Sequence, residues 1–191
     1  MSSAIAIQKR ETLMRFNPYN GKICMVINNF ARKPDVYFVL GSLGAGKSSR
    51  INQILAEKPN CTLVSSDNIQ KELSCSREIA YQKTQEMMDC YVREGQSFVC
   101  EGTGQNPELM KMFNDYRQQG ARIHVTYIDI PVEVAIERDA GRERCLGEKT
   151  VREVWERCQK NRHLWKTCSD TCEYVDYRVF IQKDVFYSQP W

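Results

Sequence analysis

The chain has 191 residues, with 42% hydrophobic and 27% charged residues, which suits one globular domain large enough to bury a core. Its net charge is only +3 and no long Lys/Arg block is present, so an extended nucleic-acid surface is disfavoured. Nine cysteines follow an apolar run, Ala4 to Ile7, too short for a secretion signal, so reduced thiols and a cytoplasmic location are expected, and no stretch approaches the roughly eighteen apolar residues that cross a bilayer.

Residues 1–34 read as an N-terminal extension of one helix or hairpin, with a turn at Asn17-Pro18-Tyr19-Asn20-Gly21 and a small apolar segment from Ile23 to Ile27. Residues 35–191 follow as a single domain. Its first strand is Val36 to Leu40, a continuous apolar run of the kind buried on both faces of a parallel sheet. Gly41, Gly46, Lys47 and Ser48 then match the pattern G-x-x-x-x-G-K-[ST]. Glycines allow the tight turn that converges main-chain N–H groups on an anion, and the helix that follows adds its positive end. The expected cradle comprises Gly41, Ser42, Leu43, Gly44, Ala45, Gly46, Lys47, Ser48 and Ser49. Lys47 would reach the β- and γ-phosphates of ATP, and Ser48 would ligate Mg2+. The plainer alternative is a Gly-rich turn carrying an exposed Lys.

A helix is predicted from Ser48 to Glu57, then a strand from Cys61 to Ser65 closed by Ser66-Asp67. Apolar spacing between Asp67 and Glu94 gives two helices broken around Ser74-Cys75-Ser76, and Gly95 ends the second. Ser97 to Cys100 is a strand running into Glu101-Gly102-Thr103-Gly104; Asn106 and Pro107 open a helix that stops at Gly120. Ile123 to Ile130 is the fourth strand, and a helix runs from Pro131 to Gly141. The polar, glycine-bracketed segment at about 141–149 reads as a lid. Thr150 and Glu153 form a capping-box pattern for a helix carrying Val151, Val154, Trp155, Cys158 and Trp165 inward, and Tyr174 to Ile181 is the last strand. Alternating strands and helices imply a three-layer αβα sandwich on a mainly parallel, five-stranded sheet, the P-loop NTPase architecture.

Ligands on such a sheet gather beyond the carboxyl ends of the strands. Asp67 is the candidate base for a substrate hydroxyl as the phosphoryl group leaves ATP; the competing role is an N-cap for the following helix. Glu101 could hold Mg2+ through water or bind a substrate hydroxyl, or be a plain loop carboxylate, with Thr103 beside it as a hydrogen-bonding partner. Asp129 stands between an active-site rim and a cap for the helix at Pro131. Arg138, Arg142 and Arg144 could neutralise the transferring phosphoryl group from the lid, or be solvated and paired with Glu137, Asp139 and Glu143. Cys158, His163, Cys168 and Cys172 lack the tight spacing of structural zinc sites, so reduced cysteines and a surface histidine are expected, and His124 is read as a strand residue.

Gly41 to Ser48, the strand end Val64-Ser65-Ser66-Asp67 and Val99-Cys100-Glu101-Gly102-Thr103 together resemble the zeta-toxin group of P-loop kinases, over roughly residues 36–145. The resemblance implies transfer of the γ-phosphate of ATP, or in some members GTP, to the 3′-hydroxyl of a UDP-N-acetyl amino sugar. Carried over by position, Lys47 and Ser48 would bind nucleotide and Mg2+, Asp67 would be the base, and Glu101 and Thr103 would contact the sugar. An inhibitory protein partner is compatible with it. Two departures stand out: Gln70 followed by Lys71 replaces the Arg that relatives carry three residues after the Asp, and the family's lid arginines do not align uniquely with Arg138, Arg142 and Arg144. A polynucleotide 5′-hydroxyl or another metabolite remains as an alternative acceptor. A nucleotide-dependent switch is a third reading, although the chain lacks Asn-Lys-x-Asp and an Asp-x-x-Gly after the third strand.

Overall fold

The computed structural model describes residues 12–16, 23–27, 33–142 and 145–176. β1 (Thr12–Phe16) and β2 (Ile23–Ile27) pair antiparallel, with Thr12 opposite Ile27. The extension therefore contains a hairpin, whose apolar segment is β2; the turn expected at 17–21 lies outside the described residues.

β3 (Asp35–Gly41) is the centre of a five-stranded sheet and leads into α1 (Lys47–Glu57). β4 (Thr62–Val64), α2 (Ser66–Leu73), α3 (Arg77–Arg93), β5 (Phe98–Gly102), α4 (Leu109–Gln118), β6 (Arg122–Asp129), α5 (Val132–Ala140), α6 (Glu148–Cys168) and β7 (Thr171–Asp176) follow. The spatial order is β4-β5-β3-β6-β7, and every neighbouring pair in that sheet is parallel. The expected three-layer α/β sandwich is the fold observed.

Its two apolar layers follow from the period-2 alternation of the strands. Val36, Phe38 and Leu40 pack with Phe98, Phe113, Tyr116, Ile123, Val125 and Trp165 on one face, under α3, α4 and the end of α6. Val39, Val99 and Ile128 pack with Ile51, Ile54, Ala135 and Val151 on the other, under α1, α5 and the start of α6. α6 thus contributes to both layers, beginning with Val151 and ending with Cys158, Trp165 and Cys168, all buried. Among the described residues no helix is long and apolar enough to cross a membrane.

Two boundaries differ from the local sequence signals. α6 starts at Glu148 with Gly147 as its N-cap and no side-chain cap of its own, so the Thr150/Glu153 box is not used. β7 begins at Thr171, earlier than expected, as an edge strand with no fully buried residue; the remainder of the stretch expected to reach Ile181 lies outside the described residues.

Candidate functional site

The central strand ends in Gly41, where β6 passes so close that a Cβ would sit 2.6 Å from the Ile128 carbonyl oxygen. The loop turns back at Gly44, which has φ of 74° and where a Cβ would lie 3.1 Å from Arg138 Cβ and 3.3 Å from the Ala135 carbonyl. Only glycine satisfies both the left-handed backbone and the close approach of α5. Gly46, also at positive φ, caps α1 without a side chain, so the first amides of that helix take no side-chain cap from it. Lys47 sits in the first turn and its Nζ donates to the carbonyls of Gly41 at 3.1 Å and Ser42 at 3.0 Å. Burial pushes its ammonium below the ordinary lysine range and Arg142 adds to that, whereas Glu101 and Asp67 act in the opposite sense. Five of the residues singled out in the sequence, Lys47, Glu101, Cys158, Arg142 and Asp67, therefore share one electrostatic neighbourhood. Ser48 and Ser49 follow, exposed on α1.

Asp67 lies in the first turn of α2, but the cap of that helix is Ser65, whose Oγ accepts from the Asn68 N–H at 3.4 Å. The strand closes at Val64, which puts Ser65 at the half-in position and leaves the carboxylate of Asp67, exposed on the helix, uncommitted to capping. Glu101, half-buried, stands opposite Val39 in the β3/β5 ladder, two residues before Gly41 on the neighbouring strand. The hydroxyl of Thr103 accepts from Gln105 N–H at 3.5 Å, a long contact within its own loop. Ser48 and Glu101 offer hard oxygen donors of the type Mg2+ takes, and phosphate oxygens would complete such a shell.

Arg138 donates from Nη1 to the carbonyl of Gly44 at 2.7 Å, so one of the three arginines binds the phosphate loop itself. Arg142 is exposed just beyond α5 and acts on Lys47. Arg144 lies outside the described residues. Asp129 does not cap α5, which has Pro131 as its N-cap and no side-chain cap; it accepts from Gln159 Nε2 at 2.5 Å and Arg162 Nη1 at 3.3 Å. Its carboxylate anchors α6 to the end of β6.

That anchoring belongs to a pattern the local motifs do not reveal. α6 braces the loops beyond the strand ends: Trp155 Nε1 donates to the Ile130 carbonyl at 2.7 Å, Cys158 Sγ to that of Thr103 at 2.8 Å, and Asn161 Nδ2 to that of Gln105 at 2.8 Å. The spacing 155, 158, 159, 162 is one helical face, and polar residues interleaved with buried ones along it were the available signal. Cys158 is thus a buried brace; His163 is exposed on the same helix. Burial raises the Cys158 thiol to about 12. A cleft of about 660 Å3 lies along α2, bordered by Ser65, Asn68, Lys71 and Met87; neither Asp67 nor the phosphate loop lines it.

The AAA domain family model matches residues 36–164, from the central strand into α6. The chain belongs to this AAA domain family. Within the family's fold, three solved structures show the likeness. A chain of the Pnkp1/Rnl/Hen1 RNA repair complex superposes with a TM-score of 0.59 at 18% identity, covering 73% of this chain and 48% of that one. The present chain therefore spans about half the length of that relative. A chain from the PezAT chromosomal toxin-antitoxin system of Streptococcus pneumoniae gives a TM-score of 0.57 at 13% identity, covering 78% of this chain and 72% of that one. Shikimate kinase from Acinetobacter baumannii gives 0.50 at 15% identity, over 84% of this chain and 98% of that one. At these identities the similarity is one of fold, a P-loop kinase-like sandwich. No curated protein matches the AAA domain chain in sequence.

Proposed function

We propose that the chain is an ATP-dependent phosphotransferase that moves the γ-phosphoryl group to an alcohol, with residues 35–191 as the catalytic unit, and that its acceptor is the hydroxyl of a UDP-N-acetyl amino sugar. The observation that carries the reading is Lys47, held on the carbonyls of Gly41 and Ser42 while it feels the carboxylates of both Glu101 and Asp67. A phosphate cradle needs the first part of that arrangement; chemistry at an incoming hydroxyl needs the second.

In this reading the loop amides and Lys47 bind the β- and γ-phosphates. Arg138 keeps the turn at Gly44 in shape, and Arg142 offsets negative charge on the moving group. Asp67 takes the hydroxyl proton as the acceptor oxygen bonds to phosphorus and the bond from phosphorus to the β–γ bridging oxygen breaks, leaving ADP. Glu101 and Thr103 orient the acceptor. Magnesium, when bound, supplies charge neutralisation to the phosphate oxygens; Ser48 and Glu101 are the residues that would hold it.

The sugar acceptor rests on the zeta-toxin-like Glu101-Gly102-Thr103 pattern, and the likeness to a chain of the PezAT toxin-antitoxin system supports it and an inhibitory protein partner. A second acceptor, the 5′-hydroxyl of a polynucleotide end, is favoured by the fold likeness to a chain of an RNA repair complex. Labelled ATP offered with UDP-N-acetylglucosamine and a 5′-hydroxyl oligonucleotide separates the two. Label is expected on the nucleotide sugar. Label on the oligonucleotide alone would transfer the assignment to the second acceptor, and slow hydrolysis with no labelled acceptor would favour a nucleotide switch.

A further inference from the structure

Asp139 is the feature that the proposed chemistry leaves unexplained. It is 1% exposed, and a carboxylate so deeply buried is costly unless it is matched by donors. Its Oδ2 accepts from Leu146 N–H at 2.8 Å, Gly147 N–H at 3.1 Å and Cys145 Sγ at 3.3 Å. Burial raises its carboxyl, but these donors and nearby Arg142 more than offset this, so it lies below the usual carboxylate range. Gly147 is the N-cap of α6, a helix of 21 residues without a capping side chain of its own. The end of α5 therefore supplies the capping carboxylate that α6 lacks, and adds its charge to that of Glu148 in the first turn.

The neighbouring residues give this cap a second consequence. Arg138 ties the same turn of α5 to the Gly44 carbonyl. Three residues beyond Asp139, Arg142 N–H donates to the Asp139 carbonyl oxygen at 3.1 Å. Arg142 thus follows directly on the turn that carries Asp139, and its charge is felt by both Asp139 and Lys47. Adjacent residues of one helix turn thus fasten the start of the α5–α6 connection to the phosphate loop and its far end to α6.

We infer that Asp139 is a positioning residue which, by gripping the amides before α6, presents Arg142 to the terminal phosphate of the bound nucleotide; this rests on the phosphate-loop reading above. A carboxylate serving only as a helix cap would alter stability and nothing else. A positioning residue alters the discrimination between ATP and ADP, because only ATP carries the group that Arg142 would meet.

The test is titration of the full chain with fluorescent ATP and ADP analogues. Wild type is expected to prefer ATP; Asp139→Ala is expected to keep ADP affinity within about threefold and to lose about tenfold in ATP affinity, the size of one charge-assisted contact. Because the effect runs through Arg142, Asp139→Ala/Arg142→Ala should bind ATP no more weakly than Arg142→Ala alone. Asp139→Asn, which keeps an acceptor oxygen for both amides, should recover most of the preference. A wild type without ATP preference, an Asp139→Ala that retains it, or a further tenfold loss in the double variant would overturn the inference. Failure of wild type to bind ADP, or unchanged binding in Lys47→Ala, would instead sink the phosphate-loop reading. Should Asp139→Ala not fold, hydrogen exchange on wild type decides: by reciprocity of coupling, the amides of Leu146 and Gly147 should exchange more slowly with ATP than with ADP, and equal rates would overturn the proposal.

Discussion

Arg138 reaches from α5 to the phosphate loop and donates from Nη1 to the Gly44 carbonyl at 2.7 Å. The bond joins the turn that would hold an anion to the helix leading into the α5–α6 connection. A charge-assisted hydrogen bond of this kind contributes about 1.5–3 kcal/mol, so Arg138→Ala is expected to weaken ATP binding by about tenfold or more. Equilibrium titration checks this, and unchanged affinity would count against the bond's role in shaping the loop.

Gly44 is the partner in that contact. Its φ of 74° and the 3.1 Å distance from a built Cβ to Arg138 Cβ predict that Gly44→Ala destabilises the fold by about 1–3 kcal/mol, from the left-handed backbone and the crowding together. Chemical denaturation with matched slopes measures it. ATP affinity should fall as well.

Ser65 and Asp67 are expected to separate cleanly. Ser65 caps α2, so Ser65→Ala should cost about 1 kcal/mol of stability while leaving phosphoryl transfer within severalfold of wild type. Paired thermal melts and initial rates test this. A Ser65→Ala variant of normal stability would remove the assignment of the cap.

Alkaline pH should expose the brace between α6 and the loop after β5. Burial raises the Cys158 thiol to about 12, with Asp129 adding to the shift and Lys47 opposing it. Folded and unfolded chains both carry the neutral thiol below the ordinary value of about 8.5, so its contribution is then complete. As pH rises toward 12 the unfolded chain releases its proton first and stability is lost. Cys158→Ser keeps a donor for the Thr103 carbonyl but does not titrate in that range. Its Tm should therefore decline less steeply than that of wild type between pH 9 and 11, as differential scanning fluorimetry would read.

The strand and the turn after it were legible in the sequence because positive φ at Gly41, Gly44 and Gly46 suits few residues but glycine, and the apolar run before them permits little but a buried strand. Local signals were weaker wherever several residues suit one task. Ser65, Ser66 and Asp67 are all competent caps, and only the end of β4 at Val64 decides among them. They misled where a distant residue does the work. The Thr150/Glu153 box is locally sound, yet α6 begins at Glu148 because Asp139, from another helix, satisfies the amides ahead of it. Asp129 shows the same limit, since its partners Gln159 and Arg162 are thirty or more residues away. Strand order, with β3 between β5 and β6, is likewise a property of packing that periodicity does not encode.

In the proposed reaction the carboxylate of Asp67 receives the acceptor's proton. The decisive variant is Asp67→Asn, with ATP affinity and the single-turnover rate of phosphoryl transfer measured on the same preparation. ATP binding is expected within about threefold of wild type, with transfer slower by about a hundredfold or more, the usual contribution of a general base. Transfer at the wild-type rate would contradict this role for Asp67.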